Sequence, residues 1–279
     1  MNRHILFCLI VIVHLTLPVS ILGEDLGTLE QPRGLAIVWD YLLGGTLDGK
    51  WAPADTLASY VLDGQTYQFY SFDQKLCTGM GSGAEPLEDP GGFGVEMRGR
   101  PLPAGTPEGQ ILPQGELGIS GTWNALPRKP NVQTGGLEPY GKEVAAILKK
   151  NGLGKAPVKI TRVVRCDLDG DKQDEVLIVA QTVKAIPEFK KNTYALVLFR
   201  RLIKGTVQTA IIRKQFIKEN KSGEADGPSE YDVPFILDAN GDEIMEVFLT
   251  GRYYEGIWME IHELQGDTLK MVLSEGLGA

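Results

Sequence analysis

The stretch "CDLDGDKQDEVLIVA" (residues 166–180) sets five carboxylates in the nine positions from Asp167 to Glu175 and then runs straight into an apolar segment. Acids this dense repel: two carboxylates about 5 Å apart cost roughly 3 kcal/mol at an effective dielectric near 20. They need a cation among them, or they must splay into water. Asp167, Asp169 and Asp171 alternate around a tight turn, the carbonyl of Gln173 follows, and Glu175 returns at the start of the next strand. That order converges hard oxygens on one point. It suits calcium, which takes about six to eight oxygens in irregular geometry, better than magnesium, which demands a near-ideal octahedron. For one such stretch alone, an ion-free acidic turn is the plain alternative.

The stretch is not alone. Asp167, Gly170, Asp171, Glu175 and Val176 recur as Asp238, Gly241, Asp242, Glu246 and Val247 at a constant offset of 71 residues, with Asn240 facing Asp169. The second candidate ligand set is Asp238, Asn240, Asp242, the carbonyl of Ile244, and Glu246. With four side-chain carboxylates in the first set against three and an amide in the second, the first loop is expected to bind calcium more strongly.

Working outward, "VKITRVVRC", "DEVLIVAQTV", "TYALVLFRRLI" and "TVQTAIIRKQF" read as strands by their β-branched and aromatic residues. After the polar loop "KENKSGEADGPSE" the pattern returns in "YDVPFIL", "EVFLTGRYY", "GIWMEIHEL" and "TLKMVLSEG". Short connections favour antiparallel neighbours, so two copies of one four-stranded unit are expected. "VLIVA" and "ALVLF" lack strict alternation, which predicts strands covered on both faces, as in the stacked sheets of a propeller.

Ahead of the repeat, "YGKEVAAILKKNG" predicts one helix. Tyr140, Val144, Ile147 and Leu148 share a face, Lys149 and Lys150 fill the last turn, and Gly152 can close it. It is expected to join the two halves. Residues 24–138 read as a mixed, loop-rich region, with a strand at "YQFYSF", a short helix at "DTLASYVL", and Gly/Pro loops at "GMGSGAEPLEDPGGFG" and "PLPAGTPEGQ". The fold class expected is mainly β, α+β overall.

The first 23 residues have a basic start at Arg3, an apolar stretch from Ile5 and small or apolar residues up to Gly23, the layout of a signal peptide. An exported protein, periplasmic or extracellular, is expected, with no membrane span after cleavage. The formal net charge of -8 and the absence of long basic runs exclude nucleic acid as an expected partner. Beyond that segment Cys77 and Cys166 are the cysteines that remain, able either to form a disulfide or to lie as two buried thiols. His262 is the one histidine left. A zinc site built on several histidines is excluded, and a hydrolytic triad would have to use this residue.

The two loops and the strands after them resemble the FG-GAP or VCBS repeat family, over about residues 155–279. "LLGGTLDGKW", "YQFYSFDQKLCTG" and "GTWNALPR" resemble the front half of exported VCBS-repeat-containing bacterial proteins. The resemblance implies calcium turns ahead of the second strand of propeller-like blades, and no assigned activity. The chain departs from it at the sixth loop position, usually Gly, where Lys172 and Glu243 stand; a side chain in the left-handed region there costs on the order of 1–2 kcal/mol.

The function expected is that of an exported calcium-binding module, non-catalytic, with an unknown protein or carbohydrate partner. A secreted hydrolase using an acidic pair is the alternative. Tyr253, Tyr254 and Trp258 in "RYYEGIW" could offer a carbohydrate platform, and Trp123 in "GTWNALPR" reads as a packing anchor.

Overall fold

The computed structural model describes residues 31–276, apart from 39, 89–90, 99–115 and 223–226. The expected signal peptide and the "PLPAGTPEGQ" loop lie outside the described residues. The fold is mainly β, with antiparallel sheets and one half-barrel.

The repeat region forms the two expected sheets. In the first, β7 (Ile160–Cys166), β8 (Glu175–Gln181), β9 (Thr193–Ile203) and β10 (Thr206–Ile217) run as an antiparallel meander, extended at the β7 edge by Asn131–Val132. The second sheet is β11 (Glu230–Leu237), β12 (Glu246–Arg252), β13 (Ile257–Gln265) and β14 (Thr268–Gly276). Each acidic loop links the first and second strands of its sheet.

The described residues between 33 and 120 depart from the loop-rich reading. They build a nine-stranded antiparallel sheet around β1 (Arg33–Val38), β2 (Tyr41–Leu47), β3 (Lys50–Pro53), β4 (Gln65–Tyr70), β5 (Lys75–Gly81) and β6 (Leu117–Ser120), completed by two-residue strands. The strands are short and glycine-bearing, which hides their period. β6 sits between β1 and β4 although it follows them by decades of residues, a pairing no local pattern encodes. The "DTLASYVL" helix is present as α1 (Ala54–Leu57), followed by a single 3₁₀ turn.

The sheets stack face to face. One core lies between the two repeat sheets, joining Val164, Leu177, Val179, Val197 and Phe199 to Val233, Val247, Leu249 and Leu264. The other face of the second repeat sheet, with Phe235, Phe248, Met259 and Ile261, packs on Ala36, Val38, Leu117 and Ile119 of the nine-stranded sheet. A further core within the N-terminal part gathers Leu35, Leu57, Tyr67 and Phe69.

The helix α2 (Glu138–Lys150) forms as predicted, closed by Gly152 at φ 81°. Its position differs from the expectation. Tyr140, Val144 and Leu148 pack on Val163, Ile178, Ala180, Leu196 and Leu198, the outer face of the first repeat sheet, so the helix caps the stack instead of joining its halves. Fully burying side chains such as Val144 and Leu148 contributes about 1.5–3 kcal/mol each. The non-alternating runs on β8 and β9 are covered on both faces as expected, by a sheet on one side and by this helix on the other.

Candidate metal centre

In the first loop the backbone is shaped by its own acids. Asp167 accepts from the amides of Gly170 (2.7 Å) and Lys172 (3.0 Å), Asp171 accepts from Gln173 (2.8 Å), and Glu175 reaches back to the amide of Leu168 (2.9 Å). Asp167, Asp169 and Glu175 can each place an oxygen within 4.8 Å of the others. The counter-charge comes from the third strand. Arg201 on β9, 13 % exposed, meets Asp169 at 2.5 Å, Glu175 at 3.5 Å and Asp171 at 3.8 Å. Burial pushes the Glu175 carboxyl up to about 7 even so. Asp174 turns away and pairs with Arg165 at 3.1 Å.

The second loop repeats the turn closely. Asp238 accepts from the amides of Gly241 (2.7 Å), Asp242 (3.1 Å) and Glu243 (3.0 Å), Asp242 accepts from Ile244 (2.8 Å), and Glu246 accepts from Ala239 (2.7 Å). Asn240 donates to Asp242 at 3.1 Å. Lys172 and Glu243, at the sixth positions, both lie at φ 70°, the left-handed backbone the turn requires.

The charge balance differs. Asp242, Glu246 and Glu263 bring oxygens within 4.8 Å of one another, and no cation pairs with them among the described residues. Glu246 is fully buried, and its Oε1 has no hydrogen-bond partner. Burial pushes its carboxyl well above the ordinary range, and Asp242 and Asp238 add to the rise. The unpartnered Glu246 oxygen thus belongs to a buried residue in a cluster of three acids.

Glu263, on β13, was not among the residues singled out from sequence. Strand pairing shows what it matches. Val176 pairs with Arg200 and Val247 pairs with His262, so the residues that follow, Arg201 and Glu263, occupy the same place in the two units.

The segment between the nine-stranded sheet and α2 clamps both loops. Arg128 donates to the carbonyls of Asp167 (2.6 Å), Leu168 (2.8 Å) and Glu243 (2.5 Å), and the amide of Met245 donates to Leu168 (2.9 Å). Trp123 donates its indole N–H to the carbonyl of Asp238 at 2.8 Å, and its ring lies so close to Gly241 that an added Cβ would meet it at 2.9 Å. The anchor reading of Trp123 is thereby met, and its target is the second loop. Gly34 on β1 also needs its bare Cα, because a Cβ there would meet the carbonyl oxygen of Ala239 at 1.8 Å.

Other candidates come apart. Trp258 is partly buried, its ring tilted against Tyr231 at 5.8 Å with Arg213 over it, while Tyr254 is 57 % exposed. Cys77 and Cys166 form no disulfide with each other: Cys166 is buried between the repeat sheets against Met245, and Cys77 is on β5 of another sheet. His262 is buried with its Nε2 2.9 Å from Glu260, which also holds Arg213 at 2.8 Å. Its Nε2 is thus held in a network with Glu260 and Arg213, while its buried Nδ1 has no hydrogen-bond partner.

The chain matches no family model, no curated protein and no solved structure.

Proposed function

We propose that this chain is an exported, non-catalytic binding or structural module of the FG-GAP/VCBS type, whose repeat units are propeller-like blades and whose second acidic loop takes calcium. The observation that carries the metal reading is the buried, unpartnered Oε1 of Glu246 in a residue that clusters with Asp242 and Glu263. Asp238, Asn240 and the carbonyl of Ile244 complete the oxygen set in the loop. Calcium there would neutralise the acids and fix the surface made by the loop and the Trp123–Arg128 segment, where a protein or carbohydrate partner would dock. The first loop, with Asp167, Asp169, Asp171, Gln173 and Glu175, is the weaker calcium site because Arg201 already supplies a positive charge. That ranking reverses the one drawn from counting carboxylates.

The hydrolase reading gains no support. Glu230 and Asp232 line a cleft away from the loops, but Arg252 and Lys184 hold Glu230 and Arg162 holds Asp232.

Thermal melting in chelator and in millimolar calcium tests the proposal. For a dissociation constant of about 0.1 mM, calcium at about 1 mM adds roughly 1.4 kcal/mol per site. Glu246→Gln is expected to abolish most of that gain while folding normally in chelator, and Asp171→Ala to leave it largely intact. A melting curve identical in chelator and calcium would sink the proposal.

A further inference from the structure

On the helix-covered face of the first repeat sheet, one row of directly paired residues runs Arg165, Val176, Arg200 across β7, β8 and β9. Direct pairs project from the same face of a sheet. α2 covers the neighbouring Ile178, Ala180 and Leu196 but leaves this row at the mouth of a cavity of about 480 Å³. Tyr140, in the first turn of α2, forms one wall. The opposite wall is Leu202 and Val207, themselves a direct pair and respectively 43 % and 52 % exposed.

The cavity is cationic in an acidic protein. Arg165, Arg200, Arg201 and Lys172 line it against one acid, Asp174, which is already paired with Arg165. Arg200 lies over the Tyr140 ring at 5.3 Å and is in no ion pair with a carboxylate among the described residues. Its Nε is buried without a hydrogen-bond partner. With no carboxylate of its own among the described residues, the Arg200 fork can match the two oxygens of an oxyanion. The exposed Leu202–Val207 pair supplies an apolar surface beside it.

We propose that this cavity binds a small organic acid, a carboxylate or phosphate joined to an apolar body, with the oxyanion on Arg200 and Arg165 and the body against Leu202 and Val207. Val176 forms the floor, and the Tyr140 ring holds the Arg200 guanidinium in place from above. Gln173 and Arg201 of the first-loop cluster also line the cavity, but the proposed contacts use no metal, so the test with and without calcium separates this site from the calcium reading.

Titration calorimetry with benzoate and with phenyl phosphate, in chelator and in calcium alike, tests it, with benzyl alcohol as the neutral control. Saturable one-to-one binding of at least one of the two acids is expected, with the alcohol bound at least about tenfold more weakly. Arg200→Met, which keeps the apolar stem, is expected to weaken binding by about tenfold or more, and Arg252→Met, remote from the cavity, to leave it unchanged. Arg165→Met is the second variant should the first fail to fold, with a smaller loss expected because Asp174 shares that guanidinium. Absence of binding by both acids, or affinities unaltered in a folded Arg200→Met or Arg165→Met protein, would overturn the proposal.

Discussion

At the position from which the third strand closes each acidic loop, the first unit carries Arg201 and the second carries Glu263. The loops below them are nearly identical in backbone hydrogen bonding, down to the left-handed sixth residue. A single reversal of charge on a neighbouring strand therefore separates a loop whose acids are paired with an arginine from one whose acids have no cation partner among the described residues. Counting acids within a loop does not show this difference, because the charge that sets it stands on the third strand.

The comparison breaks most sharply at Arg201. Removing one partner from a largely buried ion-pair cluster costs about 3–5 kcal/mol, and the partial exposure of Asp169 and Asp171 lowers the expectation to about 2–4 kcal/mol. Arg201→Met is thus expected to lower the melting temperature markedly in chelator, at roughly 2–4 °C per kcal/mol for a domain of this size. Millimolar calcium is expected to restore part of the loss, since the vacated loop then resembles the second. A variant as stable as the parent in chelator would show that the guanidinium does not hold the first loop.

Next in size is the response to pH. Glu175, at about 7, and Glu246, well above its usual range, hold protons more firmly folded than unfolded. Their contribution is present below the unfolded carboxylate value, near 4.5, and is lost as pH rises through the folded values. In chelator, stability is therefore expected to fall between about pH 5 and 7, read as a shift in urea midpoint. Glu246→Gln should remove only the part due to the second loop; a parent midpoint flat over that interval would contradict the sign.

Glu263→Arg transplants the first unit's solution into the second. The calcium gain of roughly 1.4 kcal/mol is expected to vanish, and stability in chelator to rise. If the variant still responds to calcium as the parent does, Glu263 has no part in the site. The smallest effect is expected at the sixth positions. Glu243→Gly and Lys172→Gly should each stabilise by about 0.5–1 kcal/mol in equilibrium unfolding, since glycine adopts φ near 70° without a side-chain penalty. A destabilised glycine variant would mean that the side chain contributes more than its backbone strain takes away.

Much of this was legible in the chain. The 71-residue offset located both loops, the four-stranded meander of each repeat sheet and the first-to-second strand geometry, because those features depend on residues close in sequence. The offset does not reach the third strand. Arg201 and Glu263 are 62 residues apart, since the connection from β8 to β9 is longer than that from β12 to β13, so only strand pairing aligns them. The N-terminal sheet escaped for a related reason. Its central strand, "LGIS", is four residues long and contains glycine, and its partners β1 and β4 are far away in sequence. Arg128 gave no signal at all: in "LPRKP" it reads as a solvated base, and its three carbonyl acceptors come from two loops brought together by the stacking of the sheets.

That arginine also bears on kinetics. Its guanidinium grips carbonyls of both loops, while the Met245 amide crosses from one loop to the other. Opening either turn to solvent breaks bonds shared with its counterpart, so the two behave as one cooperative unit of local unfolding. In native-state hydrogen exchange the amides of Leu168 and Met245 are then expected to share a single opening free energy. Arg128→Met should split them into separate rates, with the second loop, still tied to Trp123, the slower to open.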